Sequence, residues 1–438
     1  MDLLQINRHW QSNFRYNFTF ERKQFKDLLN HIDKPQITEL TGLRRTGKTT
    51  MFLQTINHLL DKNVDPFKIW YFTFDLEEQN LESLFRQFEV KTGNSIQKHK
   101  IFIFLDEIQK LEKFELQLKV FYDLYPNLKF FISGSTSLFI KKKSRESLAG
   151  RILPSILPVL SFREYLDFTG KGELVERPDV YEQDLIVEYE KYWGCQLIET
   201  VQLHNRNDRN EYYETILRKI IFEDIPKIAT VEYPEILYRL VKILANFPGM
   251  YLNYDNLAND LNISSKTISK YFSLLEEAFL VKVLYNFSNN LLTTEKKMKR
   301  AYLTSVSFTQ SLAENINSGH LAENAFLSQN NFKFFWRNPY KNEVDFVGLH
   351  GKKAIPVEVK YKKEVNYNDL KNLFLFSKKF KIEKPVCLLK NSESKTVNYK
   401  GLDICLESVY LPQIHIKQPL HFLNRKVFTP GIIFHLVF

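Results

Sequence analysis

Short apolar runs alternate with amphipathic stretches through the first 170 residues of the chain. The runs at 36–40, 69–74, 101–105 and 130–133 have the length and the β-branched and aromatic content of strands. After the first run, residues 50–60 show the spacing of an amphipathic helix. Strands that are apolar throughout have both faces buried, which is typical of a parallel sheet covered by helices. The pattern predicts such a sheet for this region.

The sequence pattern of the rest of the chain changes from helical to strand-like. Residues 171–235 are acidic with a helical pattern, and residues 236–290 predict a compact helical unit that ends in a strand-like run. Beyond the basic linker at 295–300, strand patterns return at 333–336, 343–348 and 354–361. The predicted fold class is therefore a multidomain α/β protein, with boundaries after residues 170, 235, 290 and 418.

Composition narrows the class of protein. The 438 residues are 44% hydrophobic and 26% charged, with 14 Gly and 15 Pro, which excludes a collagen-like, low-complexity or largely disordered chain. Three Cys are too few for a disulfide framework or a Cys-based zinc site, so we expect a reducing compartment, the cytoplasm. Residues 1–10 lack the apolar core of a signal peptide, and the apolar run at 428–438 is too short to cross a bilayer. No membrane partner is expected.

A phosphate-binding motif follows the first predicted strand. Residues 42–49 fit G-x-x-x-x-G-K-[ST] at every fixed position. Gly42 and Gly47 let backbone N–H groups turn towards phosphate oxygens, Lys48 reaches the β- and γ-phosphates, and the Thr49 hydroxyl ligates Mg²⁺. The predicted cofactors are ATP and Mg²⁺. The predicted nucleotide-binding residues are Gly42, Leu43, Arg44, Arg45, Thr46, Gly47, Lys48, Thr49 and Thr50.

Two acids at the end of the third apolar run have the form of a Walker B motif. Asp106 is predicted to hold Mg²⁺, and Glu107 to polarise the attacking water, so that Glu107 and Lys48 are the catalytic residues of an ATPase. The alternative is a pair of acids that cap the following helix.

Three further residues are candidates for the phosphate site. Ser133 and Ser135, at the end of the strand beside the Walker B strand, would help to position water, although a plain Ser-rich turn explains them equally well. Arg151 would stabilise γ-phosphate charge in its own or a neighbouring subunit of an oligomer, and the alternative is an ordinary surface Arg.

The order of these motifs resembles a known group of proteins. G-L-R-R-T-G-K-T-T, I-F-L-D-E-I-Q, F-I-S-G-S, L-A-G-R and L-S-F-R-E-Y-L occur in that order, as they do in bacterial and archaeal ATP-binding proteins with a C-terminal domain of unknown function. The resemblance implies an AAA+-type P-loop ATPase domain at 1–170, a helical connector at 171–235 and a winged-helix-like unit at 236–290. It further implies a restriction-endonuclease-like domain at 291–418 and a C-terminal tail at 419–438.

The residues themselves support a winged helix at 257–275. Ser264 or Ser265 is placed to cap a second helix, on which Lys266, Ser269 and Lys270 would project outward, as on a recognition helix. Between 250 and 290, however, three Lys stand against four Asp and Glu, which is unfavourable for binding phosphate. We therefore favour a structural or protein-contacting role for this unit over binding to DNA.

The last predicted domain contains a nuclease-like pattern. Asp345 lies on one strand, and Glu358 and Lys360 lie two positions apart on the next, so the three side chains can share one face. The acids would bind Mg²⁺ and Lys360 would help to activate water. By the resemblance, Glu323 on a predicted helix completes the set. An active nuclease and an inert or merely nucleic-acid-binding fold both remain open.

The net charge of +10 is concentrated at the C-terminal end, because residues 291–438 carry 23 basic and 12 acidic side chains. Any contact with DNA or RNA is expected there. The preferred hypothesis is a Mg²⁺-dependent ATPase whose nucleotide state controls a C-terminal effector or nucleic-acid-interacting domain. The alternatives are an ATP-regulated metal-dependent nuclease and a non-enzymatic nucleotide switch that binds protein partners.

Overall fold

A computed structural model describes most of residues 2–411. The described residues leave out Thr19, 76–78, 136–147, Ile228, 291–293, 295–297, Lys352 and 392–393. The predicted C-terminal tail at 419–438 lies outside the described residues. Within them, none of the helices has the length and apolarity needed to cross a membrane.

The N-terminal part is built on a five-stranded parallel sheet with the strand order β2-β3-β4-β1-β5. Every residue of β1, β3 and β4 is buried, as expected for strands covered on both faces. The edge strand β5 was not predicted, because its sequence ILPSI contains a Pro and only one of its five residues is buried. The strands are β1 Ile37–Thr41, β2 Ile69–Thr73, β3 Ile101–Asp106, β4 Leu128–Gly134 and β5 Ile152–Ile156.

Helices surround this sheet and complete the predicted α/β layer structure. The helix predicted at 50–60 is α3, which begins directly after Gly47, the last loop glycine. Its buried positions recur at helical spacing and pack against the strands. The helices are α1 Leu3–Ile6, α2 Phe25–Leu29, α3 Lys48–Asp61, α4 Leu81–Thr92, α5 Phe114–Leu124 and α6 Phe162–Phe168.

The middle of the chain is helical, as the sequence predicts. Its last long helices pack in a hydrophobic cluster that also includes Leu43 of the phosphate-binding motif. One helix continues without a break into a π-helical turn, Ile220–Asp224. The helices are α7 Glu182–Tyr192, α8 Ile198–Val201, α9 Arg206–Lys219 and α10 Pro234–Asn246.

A second sheet has nine strands, parallel and antiparallel, in the order β13-β14-β12-β11-β10-β9-β7-β8-β6. Five of its strands are β6 Met250–Tyr251, β7 Val281–Asn286, β8 Lys299–Leu303, β9 Phe334–Arg337 and β10 Glu343–His350. The other four are β11 Lys353–Lys360, β12 Val386–Leu389, β13 Lys395–Tyr399 and β14 Leu402–Ser408. The multidomain α/β class is confirmed.

The predicted domain boundary after residue 290 lies between strands that belong to this one sheet. Strand β7 pairs with β8 on one side and with β9 on the other, so strands on both sides of residue 290 form one ladder. The sequence pattern reveals where strands are but not which strands pair, and for that reason it separated two units that share backbone hydrogen bonds.

The helix–turn–helix predicted at 257–275 is present. Ser264 caps the second helix by accepting a hydrogen bond from the Thr267 N–H. Ile268 is buried as predicted, while Lys266 and Lys270 are exposed. The remaining helices are α11 Tyr254–Leu261, α12 Ser265–Glu277, α13 Val306–Leu312, α14 Ser318–Gln329 and α15 Tyr367–Phe380.

Candidate functional site

The loop between β1 and α3 has a backbone that needs glycine at two points. A Cβ on Gly42 would lie 2.3 Å from the Leu157 carbonyl oxygen, so no side chain fits there. Gly47 has a φ of 96°, a left-handed conformation that other residues rarely adopt. Arg45 is also left-handed, with a φ of 68°. The resulting loop ends at the N-terminus of α3, where free N–H groups and the helix dipole favour an anion.

Lys48 is the first residue of α3 and is held inside the loop. Its Nζ donates to the carbonyl oxygens of Gly42 and Leu43 at 3.1 and 3.0 Å. Burial lowers the pKa of Lys48, while the carboxylates of Glu107 and Asp106 raise it. Its described hydrogen bonds go to neutral carbonyl groups, and the ammonium is therefore placed to meet a phosphate oxygen.

Asp106, at the end of β3, lies beside the second residue of the helix. Its carboxylate accepts a hydrogen bond from Thr49 Oγ1 at 2.5 Å, from the Tyr71 hydroxyl at 3.1 Å and from the Ser133 hydroxyl. Hydroxyl and carboxylate oxygens are the hard ligands that Mg²⁺ prefers. The donor set of Thr49 and Asp106 therefore fits a magnesium ion next to the phosphate loop.

Glu107 turns away from the strand because its backbone is left-handed, with a φ of 52°. Its N–H donates to Ser133 Oγ at 3.2 Å, and its carboxylate accepts a hydrogen bond from Gln109. The same Gln109 amide donates to Ser135 Oγ at 3.2 Å. Burial, more than any neighbouring charge, raises the pKa of Glu107. Ser135 thus contacts the residue that holds Glu107.

A buried arginine that was not predicted from the sequence holds the phosphate loop in place. Arg22 donates to the Thr46 carbonyl at 2.7 Å and to the Pro158 carbonyl at 2.9 Å, and it pairs with Glu164 at 2.9 Å. Glu164 also closes a capping box with Ser161 at the start of α6. The S-F-R-E-Y-L motif was the available signal, because its Glu164 is the acid of this pair.

Arg151 lies at the opposite end of the sheet from the loop. Its carbonyl oxygen accepts a hydrogen bond from Ile37 N, the first residue of β1, whereas the loop follows the last residue of that strand. Its guanidinium pairs with Asp123 at 2.8 Å. The structure therefore does not bring Arg151 to the phosphate loop of its own chain, and a role in a neighbouring subunit stays a prediction.

The C-terminal carboxylates meet where β10 and β11 pair. Asp345 Oδ2 accepts a hydrogen bond from the Val359 N–H at 2.9 Å, and Lys360 Nζ pairs with Glu358 Oε1 at 2.7 Å. Burial and the charge of Asp345 raise the pKa of Glu358 to about 8. Burial opposes protonation of Lys360, but the charges of Glu358 and Asp345 outweigh it and raise its pKa. Three of the four predicted residues are therefore neighbours.

Glu323, the fourth residue, is engaged by cationic and hydroxyl donors. Arg300 on β8 pairs with Glu323 at 3.1 Å and with Glu343 at 2.7 Å, and Tyr302 donates to Glu323. Burial and the nearby Asp345 raise the pKa of Glu323. Among the described residues, no group of three or more His, Cys, Asp or Glu is arranged to hold a metal ion. Glu323 is close enough for the charges of Asp345 and Lys360 to act on its carboxyl group, and its place in a metal site stays a prediction.

Comparison with known proteins assigns the regions of the chain. Residues 34–166 match the model of the AAA domain. The N-terminal third is an AAA-type P-loop ATPase domain. Residues 199–318 and 310–407 match two domains of unknown function, DUF8612 and DUF4143. The AAA-type fold implies nucleotide binding, usually with Mg²⁺.

Two relatives are 26% and 27% identical to parts of the chain. An uncharacterized protein of Methanocaldococcus jannaschii is 26% identical over 325 residues, which span 68% of this chain and 67% of that protein. An uncharacterized protein of Haemophilus influenzae is 27% identical over 276 residues, which span 61% of this chain and 65% of that protein. The matches thus span about two thirds of these relatives.

The chain also shows low similarity to solved structures, as two examples illustrate. The Aeropyrum pernix ORC1 protein, solved in complex with DNA, has a TM-score of 0.34 at 13% identity, covering 70% of this chain and 96% of that one. A STAND protein with a tetratricopeptide repeat sensor from Pyrococcus horikoshii has a TM-score of 0.30 at 12% identity, covering 73% of this chain and 46% of that one.

Proposed function

We propose that the AAA-type domain hydrolyses ATP with Mg²⁺ and that its nucleotide state controls the C-terminal half of the chain. The observation that carries the first part is the hydrogen bond of 2.5 Å between Thr49 and Asp106, made beside Lys48. It brings together the hydroxyl and the carboxylate that would hold Mg²⁺ at the first turn of the phosphate-binding helix.

The side chains support a division of labour in hydrolysis. The loop N–H groups and Lys48 would bind the phosphates, and Mg²⁺ held by Thr49 and Asp106 would neutralise charge on them. Glu107 would orient the attacking water and accept its proton, which a raised pKa makes more favourable. Its hydrogen bond from Gln109 fixes the carboxylate, and Ser135 supports Gln109.

Lys48→Ala tests the assignment, with Lys62→Ala as the matched control at the other end of α3, where Lys62 is the C-cap. We expect the Lys48 variant to lose ATP binding, measured by isothermal titration calorimetry, and ATP turnover, measured as phosphate release. The Lys62 variant should match the wild-type protein. Equal turnover in both variants would refute the proposed ATPase.

Continuity of the packing supports control of the C-terminal half. Leu43 in the phosphate loop belongs to one hydrophobic cluster with residues of α10, α11 and α12. We propose that a change in the loop is transmitted through this cluster to the helix–turn–helix, which we propose to be a winged helix. ATP turnover measured with and without DNA and RNA tests this coupling, and stimulation by either would also support binding through the basic last third.

A nuclease is the second candidate, supported by the contacts among Asp345, Glu358 and Lys360. The ion pairs of Arg300 favour instead an inert restriction-endonuclease-like fold. Plasmid and linear DNA or RNA incubated with Mg²⁺ or Mn²⁺ would separate the two. The matched variants are Lys360→Ala and Lys353→Ala, at the two ends of β11. Cleavage that only Lys360→Ala abolishes would establish the nuclease.

A purely non-enzymatic switch makes a different prediction. It would bind protein partners in one nucleotide state, through the helix–turn–helix, without ATP turnover or cleavage. Affinity capture with ATP or ADP present, combined with the turnover measurement above, distinguishes it from the ATPase.

A further inference from the structure

The middle region lies directly against the phosphate loop. Leu43 shares a hydrophobic cluster with Leu197 and Ile220. A Cβ placed on Gly47 would lie 3.0 Å from Ile198 Cδ1. The segment 197–225 therefore contacts the same few residues whose backbone would surround the phosphates.

One ion pair crosses this contact in a protected position. Arg44 Nη1 lies 3.0 and 3.3 Å from the two carboxylate oxygens of Asp224, and the side chains are only 16% and 11% exposed. A second pair, Arg45–Glu199, is longer at 3.5 Å, with side chains 57% and 43% exposed. Since water screens exposed pairs, only the first is expected to bind the two regions together measurably.

Asp224 ends an unusual piece of backbone. The turn Ile220–Asp224 is π-helical, directly after α9. Such turns are rare, and they are frequent at functional sites. Asp224 therefore lies at the end of a segment whose hydrogen bonding departs from the ordinary α-helical pattern.

Both charges of the pair act on the phosphate-binding lysine. The pKa of Lys48 is lowered mainly by burial, and among the charges around it Arg44 lowers it and Asp224 raises it. A triphosphate bound at Lys48 would bring several negative charges into the same space. It would attract the Arg44 guanidinium, which suits phosphate geometry, and repel the Asp224 carboxylate.

We propose that Asp224 is a positioning residue of the nucleotide site, and that Arg44 exchanges Asp224 for the phosphates when ATP binds. The exchange releases the π-helical turn and transmits the presence of ATP to the middle region. This inference rests on the proposed ATP site. It adds the residue pair that would transmit ATP binding from the site to the middle region.

Calorimetric titration of the full chain with ATP and Mg²⁺ tests the exchange. Asp224→Asn keeps the side-chain volume but removes the competing charge, so we expect ATP to bind about fivefold more tightly, equivalent to about 1 kcal/mol. Arg44→Gln should bind ATP more weakly than the wild-type protein. Glu199→Gln is the matched control at the exposed pair and should stay within about twofold. Thermal melting confirms that each variant is folded.

Hydrogen exchange of the amides at 216–225 provides the second readout. ATP should speed exchange there in the wild-type protein and have little effect in Asp224→Asn, in which the pair is already absent. Unchanged or weaker ATP binding by Asp224→Asn would overturn this inference and leave the proposed ATPase standing. Amide hydrogen exchange in the wild-type protein that does not respond to ATP would do the same. If the wild-type protein and Lys48→Ala both fail to bind ATP, the proposed function falls and the inference with it.

Discussion

The nucleotide site and the C-terminal cluster use similar residue types in opposite ways. Each brings carboxylates close to a lysine, Lys48 in the first and Lys360 in the second. Asp106 receives its hydrogen bonds from three hydroxyl groups, and Lys48 donates to carbonyl oxygens. In the cluster, by contrast, Lys360 and Arg300 bind carboxylates directly.

The difference shows that the donors around an acid determine what the acid can bind. Neutral hydroxyl groups orient a carboxylate but leave its charge for a cation, which suits a site for Mg²⁺. A guanidinium or ammonium cancels that charge, and the group then holds protein elements together. A similar set of acids and a lysine therefore predicts a cation-binding site at the N-terminal end of the chain and a stabilising ion-pair cluster at the C-terminal end.

The largest expected effect is on turnover at the N-terminal site. Glu107→Gln should lower the rate of ATP hydrolysis by about 10²- to 10⁴-fold, because the amide cannot accept a proton from water. ATP binding should persist, since Lys48 and the loop are unchanged. Phosphate release and calorimetric binding, measured on one preparation, check both points. A variant that still turns over at the wild-type rate would contradict the role of Glu107.

At the C-terminal cluster, loss of a cation should instead affect stability. Arg300→Gln leaves Glu323 and Glu343 without their guanidinium and should lower the free energy of unfolding by about 3–5 kcal/mol. Arg337→Gln is the control, because its guanidinium lies 3.9 Å from the same Glu343. Urea unfolding followed by fluorescence measures both. A loss below about 1 kcal/mol for Arg300→Gln would show that the pair does not hold the cluster together.

The pH dependence of stability offers a third comparison. The pKa of Glu358 is raised to about 8 by burial and by Asp345, so between about pH 4.5 and 8 the folded state binds protons that the unfolded state releases. Its stabilising contribution is complete below about pH 4.5 and is lost as the pH rises through about 8. The slope reaches at most about 1.4 kcal/mol per pH unit.

Glu358→Gln should flatten this dependence, because the amide resembles the protonated acid at every pH. Glu383→Gln, a change at an exposed acid of the same half, should keep the wild-type slope. Melting temperatures from pH 5 to 9 provide the measurement. If the melting temperatures of the wild-type and Glu358→Gln proteins change equally with pH, titration of Glu358 does not contribute to the stability of the cluster.

The smallest expected effect concerns a neutral donor to Asp106. Tyr71→Phe removes one hydroxyl and leaves those of Thr49 and Ser133, so ATP turnover should fall by about tenfold. The Mg²⁺ concentration for half-maximal turnover should rise, which a purely structural role of Tyr71 would not cause. No shift in that concentration would show that Tyr71 does not orient Asp106.

The sequence predicts best what lies close together along the chain. The phosphate loop, the acids at the end of β3 and the hairpin of β10 and β11 each depend on spacings of a few residues, and each lies next to the strands from which it was predicted. The AAA-type fold follows from the same local patterns.

What the sequence does not reveal depends on pairs that are far apart. Arg22 and Glu164 are separated by 142 residues, and Arg44 and Asp224 by 180. Nothing in the local pattern links such residues, because their proximity is created by packing of the whole chain. Arg300 is the same case, since it comes from the strand that joins the two predicted C-terminal units.

The shared nine-stranded sheet limits how this protein can be divided. A chain cut between residues 290 and 291 would leave β7 without the hydrogen bonds of β8 and β9 on its two edges. Exposed strand edges of this kind recruit other strands and lead to aggregation. The helix–turn–helix and the carboxylate cluster therefore depend on one sheet, and we expect neither to fold in another protein without the strands that join them.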